Sequence, residues 1–244
     1  MAVLKGALIS FMPPGGLGLP SLPNVIVFQI NPETITHAWT EAAPPQAPSD
    51  PKVKVNPLAV TGVPGESFQF TLMLDSDEEQ ADVATDPVGA GLAVASGVYT
   101  RLAALELLQF PTLSPTSSLV GQVSAATAAA GAGTSAADSS AQSVPLSQVP
   151  VALFVWGPQR IVPVRVTAFS VTEKLFDAFL NPTHAEAQIT LTVLTPDELA
   201  AVQGSMASVA QAAYSYTLGL KQAQAIANLA ESAAGIVGML PIPM

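Results

Sequence analysis

The chain has no cysteine. That single absence removes disulfides, zinc–thiolate centres and cysteine nucleophiles together, and leaves the compartment open. Charge is scarce as well. Charged residues make up 11% of the sequence, against about a quarter in an ordinary soluble domain. Basic residues are scarcest: eight Lys and Arg stand against 18 Asp and Glu, for a net charge of −10. Neutralising phosphates takes clustered Lys and Arg, so no nucleic-acid partner is expected, nor an anionic membrane surface. No apolar run reaches the ~18 residues of a membrane-spanning helix. The Ala-rich stretch near the C-terminus comes closest, but Gln, Lys, Asn and Glu interrupt it, so no membrane insertion is expected. The first residues have one Lys and a short apolar run that Pro13-Pro14-Gly15-Gly16 cuts off. They read as a first strand, not a signal peptide.

Catalytic chemistry is equally sparse. The two histidines, His37 and His184, have no Gly-x-Ser-x-Gly elbow to serve. No His/Asp/Glu cluster has metal-ligand spacing. Gly15-Gly16-Leu17-Gly18 is flanked by proline and opens no helix, so it is not a phosphate loop. Asp75-Ser76-Asp77-Glu78-Glu79 offers oxygen ligands but lacks the Gly-at-six, Glu-at-twelve pattern of a calcium loop. It reads as a solvated strand end. Those carboxylates could pair as acid and base, but two Trp and three Tyr leave few rings to stack a sugar. The expectation is a non-enzyme with no catalytic residue, no cofactor and no metal.

What is present is apolar. At 49% hydrophobic over 244 residues, the chain can bury a sizeable core, although much of that fraction is Ala. Low charge with high apolarity fits a surface buried in an assembly, or a monomer with a Ser/Thr/Gln surface. The clearest local signal is residues 185–193, which alternate apolar and polar as a half-buried strand does. Glu186, Gln188, Thr190 and Thr192 mark its polar face. Residues 67–74 alternate likewise, with Phe68, Phe70, Leu72 and Leu74 on one side. Further strands are expected at 4–12, 25–30, 34–40, 149–156 and 161–169, with a short one at 52–55. Asn31-Pro32 reads as a turn from which the next strand returns. In the 161–169 strand the phase slips at Ala168-Phe169, which predicts a β-bulge. A turn is expected at Asn181-Pro182.

Val98, Leu102, Leu105 and Leu108 form an apolar stripe and predict a helix over 98–109. Residues 112–147 are Ser, Thr, Ala and Gly with hardly a large side chain, and read as a mobile insertion. Thr195-Pro196-Asp197-Glu198 is a capping box with Pro at the first helical position. It predicts a helix to about residue 237, broken or bent near Gly204 and Gly219. The organisation expected is a β domain over 1–195 and a helical extension over 196–244.

The order of these segments carries a resemblance. Phe28-Gln29-Ile30-Asn31-Pro32-Glu33 ends an apolar strand; Phe68 to Asp75 follows the form Phe-x-Phe-x-Leu-x-Leu-Asp; a helix follows; a strand then enters Trp156-Gly157; and a turn with Pro182 and Ala185 precedes the alternating strand. Over about residues 3–195 this resembles the N-terminal domain of the tube and baseplate hub-adaptor proteins of contractile, phage-tail-like injection systems. The resemblance implies a mainly β fold with flanking helices, a tail-tube-like β-barrel or split barrel, here with an Ala-rich C-terminal helix where many adaptors carry a LysM module. It implies a structural ring component, six-fold, that joins the spike complex to the inner tube. The partners implied are copies of itself, a spike or hub protein, an inner tube protein and other baseplate proteins. Assembly in the cytoplasm as part of a particle, with release of that particle, would follow. Asn31, Pro32, Trp156, Gly157 and Pro182 are the signature positions; each also reads as an ordinary turn or core residue. The family's Gly-x-Pro-x-Arg-Ala turn is Leu180-Asn181-Pro182-Thr183-His184-Ala185 here, so a ring salt bridge made by that Arg has no counterpart. Two other readings remain open: an inner tube subunit of the same machine, and a monomeric β-sandwich that binds a ligand.

Overall fold

The computed structural model describes residues 4–11, 23–45, 56, 58–77, 87–110, 149–202 and 206–239. The expected strand at 52–55 and the insertion at 112–147 lie outside the described residues. Among the described residues seven strands form: β1 (Ala7–Phe11), β2 (Pro23–Val27), β3 (Ile35–Thr40), β4 (Gly65–Asp75), β5 (Ala152–Val155), β6 (Ile161–Phe176) and β7 (Pro182–Val193). The helices among the described residues are α1 (Pro87–Ser96), α2 (Tyr99–Glu106), α3 (Pro196–Ala201) and α4 (Met206–Met239). The strands form one antiparallel, open sheet in the order β2-β1-β5-β6-β7-β4-β3.

Alternation in the sequence sets the two faces. On β4 and β7, Phe68, Phe70, Leu72, Leu74, Ala185, Ala187, Ile189, Leu191 and Val193 all point inward and are buried. β5 and β4 are three strand spacings apart, about 14 Å on a flat sheet. Yet the Phe154 ring on β5 lies 5.3 Å from Phe68 and 5.4 Å from Phe70. The sheet is therefore strongly curved around an aromatic core that Phe28 and Trp156 complete. The stripe Val98, Leu102, Leu105 and Leu108 enters the same core from α2 and the turns at its two ends, the helix being shorter than the expected 98–109, and each residue is at most 2% exposed. Burying three leucines and a valine contributes roughly 1.5–3 kcal/mol per side chain, far more than an eight-residue helix gains from its own backbone.

Several expectations change in detail. The strand after Asn31-Pro32 does not return beside β2. β2 and β3 are the two edges of the sheet, and residues 28–34 cross between them. The expected turn at Asn181-Pro182 is displaced: the loop is closed by Asp177, whose amide donates to the Asn181 carbonyl (2.9 Å), and Pro182 already begins β7. β6 runs unbroken to Phe176, seven residues past the expected end, since its later half needs only β7 to satisfy its backbone. The predicted bulge is present: Val166 faces Leu191, Ala168 faces Thr190, and Thr167 is the extra residue. The capping box at Thr195 forms as expected, with Thr195 Oγ1 accepting from the Glu198 amide and the Glu198 carboxylate accepting from the Thr195 amide. That helix is short, because Val202 is extended. α4 then passes straight through Gly219. α1 had no counterpart in the sequence reading. Among the described residues no helix is long and apolar enough to cross a membrane.

Candidate functional site

The outward face of the sheet divides in two. Over β1, β5 and the start of β6 it is apolar, and the first turns of α4 cover it: Met206 and Ala213 pack on Leu153, Ile9, Val155 and Ile161. Over the rest of β6, β7, β4 and β3 no described helix covers it, and its middle rows are uncharged. The register places Ser170, Gln188 and Thr71 in one row, Ala168, Thr190, Gln69 and Thr36 in the next, and Arg165, Thr192 and Ser67 in the next. Glu186, Gln188, Thr190 and Thr192 therefore share one face, as the alternation predicted. Charge lies at its two ends: exposed Arg165 at one, and at the other Lys174 donates to Glu186 and His184 Nδ1 lies 3.7 Å from Asp75 Oδ2. The Lys174 ammonium holds the Glu186 carboxyl below its ordinary value.

The signature residues fall into one cluster and one outlier. The Asn31 side chain accepts from the Gly6 amide (2.9 Å) and donates to the Leu4 carbonyl (2.8 Å), standing in for a strand. Its neighbour Gln29 does the same to Asp75 at the end of β4, donating to the carbonyl (2.9 Å) and accepting from the amide (3.0 Å). Two side-chain amides thus stitch together the two sides of the open sheet. Asn31 and Pro32 share a shallow cleft of about 280 Å³ with Glu186. On its other side Asn31 lines a second cleft, of about 210 Å³, with Trp156 and Gly157. Gly6 is required there: a Cβ on it would stand 2.6 Å from the Trp156 ring. Pro182 is elsewhere. Its carbonyl accepts from the Val98 amide (3.0 Å) and lies against Gly97, whose φ of +58° and lack of a Cβ permit the approach.

One constellation escaped the sequence reading. Glu66 is 8% exposed and lies on the inward face of β4. Lys221 of α4 donates to both of its carboxylate oxygens, at 3.0 Å each, and His37 Nε2 is 2.7 Å from Oε1. Lys221 also sits 4.5 Å above the Trp39 ring. Beside this cluster is a partly open cavity of about 150 Å³, lined by Trp39, Val63, Pro64, Val162, Val193, Leu194, Tyr214, Thr217 and Leu218 as well as Glu66 and Lys221. Burial, then the Glu66 charge, raise the Tyr214 phenol above its usual pKa. The parity of Glu66 with Phe68 and Phe70 was the available signal: a carboxylate on an apolar face needs a cation. Nothing in the sequence says that the cation is 155 residues away.

At the opposite end of the β6–β7 hairpin the loop presents apolar side chains to solvent. Leu175, Phe176, Phe179 and Leu180 are 72%, 54%, 86% and 76% exposed. The backbone beneath them is tied. Asp177 Oδ1 accepts from the Phe179 and Asn181 amides (2.8 and 2.9 Å), and Oδ2 accepts from the Asn181 side chain (3.0 Å). These bonds, led by the Asn181 side chain, lower the Asp177 pKa. Leu175 and Leu180 are held at φ of 53° and 65°, a region that costs a non-glycine residue about 1–2 kcal/mol. Among the described residues no group of three His, Asp or Glu is placed to hold a metal ion. No protein-family model matches the chain, and no curated protein matches it.

Proposed function

We propose that the chain is a structural ring component of a phage-tail-like contractile injection system, a baseplate hub adaptor between the spike complex and the inner tube. The observation that carries this reading is the outer face of β3, β4, β7 and β6, which no described helix covers. A hydroxyl and amide surface four strands wide, with its charge kept to its two ends, suits a channel wall or a ring contact better than it suits an active site. The strong curvature of the sheet, stitched by Gln29 and Asn31, supports a split-barrel reading of the fold. α2 covers part of the β2 edge, with Arg101 donating to the Val27 carbonyl; the β3 edge would pair with a neighbouring copy in place of the edge protection a monomer needs. The ring would be built in the cytoplasm and leave the cell only with its particle. Its partners would be a spike or hub protein and the inner tube protein; the projecting α4 favours an adaptor over an inner tube subunit.

A second reading has one observation in its favour. The apolar cavity beside Glu66 has the form of a small ligand site, as a monomeric binding module would need. Negative-stain imaging and sedimentation of the purified chain, alone and with spike and tube proteins, separate the two. Rings, or incorporation into sheathed particles, are expected. A chain that stays monomeric in every mixture overturns the ring reading.

A further inference from the structure

The exposed loop and the cavity sit at opposite ends of one strand. Pro182 begins β7 beside the loop, and Val193 at its other end lines the cavity. Eleven steps of about 3.3 Å separate them by roughly 36 Å, so no chain can fill its own cavity with its own loop. The two features match in chemistry and size. The loop offers phenyl and leucyl side chains and one charge, Asp177. The cavity offers apolar walls and one ion pair, Lys221 with Glu66. Its volume is about 150 Å³, and an apolar cavity of about 150 Å³ accepts a benzene ring.

We propose that Phe179 of one copy inserts into the Trp39–Tyr214–Leu218 cavity of a second copy. The contact joins unlike surfaces, so it propagates: copies add head to tail along the hairpin axis, closing a ring or continuing a stack according to the rotation at each step. It explains why the loop keeps two strained leucines and an Asp177 lock around side chains that stand largely in solvent. Held in one conformation, the loop loses little entropy on insertion. This proposal rests on reading the chain as self-assembling, and names the partner surface.

The cysteine-free sequence makes the test direct. Ala178→Cys places a thiol beside Phe179, and Val63→Cys places one on the cavity lining. A mixture of the two variants is treated with a short bismaleimide and imaged in parallel. A cross-linked pair in the mixture, and in neither variant alone, is expected. Adding Phe179→Ser to the Ala178→Cys chain is expected to reduce that pair at least about tenfold, since the inserted ring supplies most of the contact. Cross-linking of Ala178→Cys with itself means a tip-to-tip contact and overturns the proposal. Rings in the images without the mixed pair overturn the proposal and leave the ring reading standing. The mixed pair without rings supports the insertion and defeats the ring. Neither product defeats both.

Discussion

A buried carboxylate is tolerable only while its partners stay. Glu66 has two, and Lys221 contributes bonds to both oxygens. Lys221→Met leaves Glu66 dependent on His37 and is expected to cost about 1–3 kcal/mol. Glu66→Gln in the same chain should recover part of that loss, because a neutral amide needs no cation; urea unfolding of the single and double variants measures the coupling. Asp177 makes a different kind of prediction. Its folded pKa is depressed, so what its bonds contribute is present above the ordinary value and is lost as pH falls through the lowered one. The amide proton resonances of Phe179 and Asn181 should titrate together with a midpoint below 3.8, the ordinary value. In Asp177→Asn that step should vanish. A midpoint at or above the ordinary value would show that the loop is not held as the hydrogen bonds imply.

Elements were legible where a single period governed them. The stripe Val98, Leu102, Leu105 and Leu108 gave α2 its buried face, the phase slip at Ala168-Phe169 gave the bulge, and Thr195 with Glu198 gave the start of α3. What no period carries is the order of strands. Gln29 and Asn31 work by reaching across the sheet to Asp75 and Gly6, and a turn signal reads the same whether the next strand pairs beside the last or on the far edge. Nor could the stretch before α2 announce α1, since Pro87–Ser96 is apolar on nearly every side and shows no stripe. The site divides the same way. The polar row on β7 was readable from alternation, while Lys221 meets Glu66 only through the docking of α4. That helix supplies an element-scale prediction. Tyr216 donates to the Pro158 carbonyl (3.0 Å) and Gln224 to Gln159 (3.2 Å), but residues 222–232 are exposed throughout. A chain ending at Ala225 should keep its unfolding free energy within about 0.5 kcal/mol, the usual range for surface changes. A larger loss, measured by urea denaturation in dilute solution, would mean that the projecting turns pack where no contact is drawn for them.

At the scale of the whole molecule, charge opposes the assembly that apolar surface favours. Each copy carries −10, and neighbouring copies repel wherever that charge is unscreened. The proposed contact sets Phe179 against apolar walls whose one cation, Lys221, is already paired with Glu66, so the attraction is mainly hydrophobic and insensitive to moderate salt. Repulsion is not: the Debye length falls from about 30 Å at 0.01 M to about 8 Å at 0.15 M. Sedimentation velocity at fixed protein concentration should therefore show the assembled fraction rising with ionic strength over that range. The melting temperature should rise with protein concentration at the higher salt, because assembly stabilises only the folded state. An assembly held by ion pairs would respond in the opposite direction and dissociate as salt is added. A monomeric binding module would show one sedimentation coefficient and one melting temperature across both series.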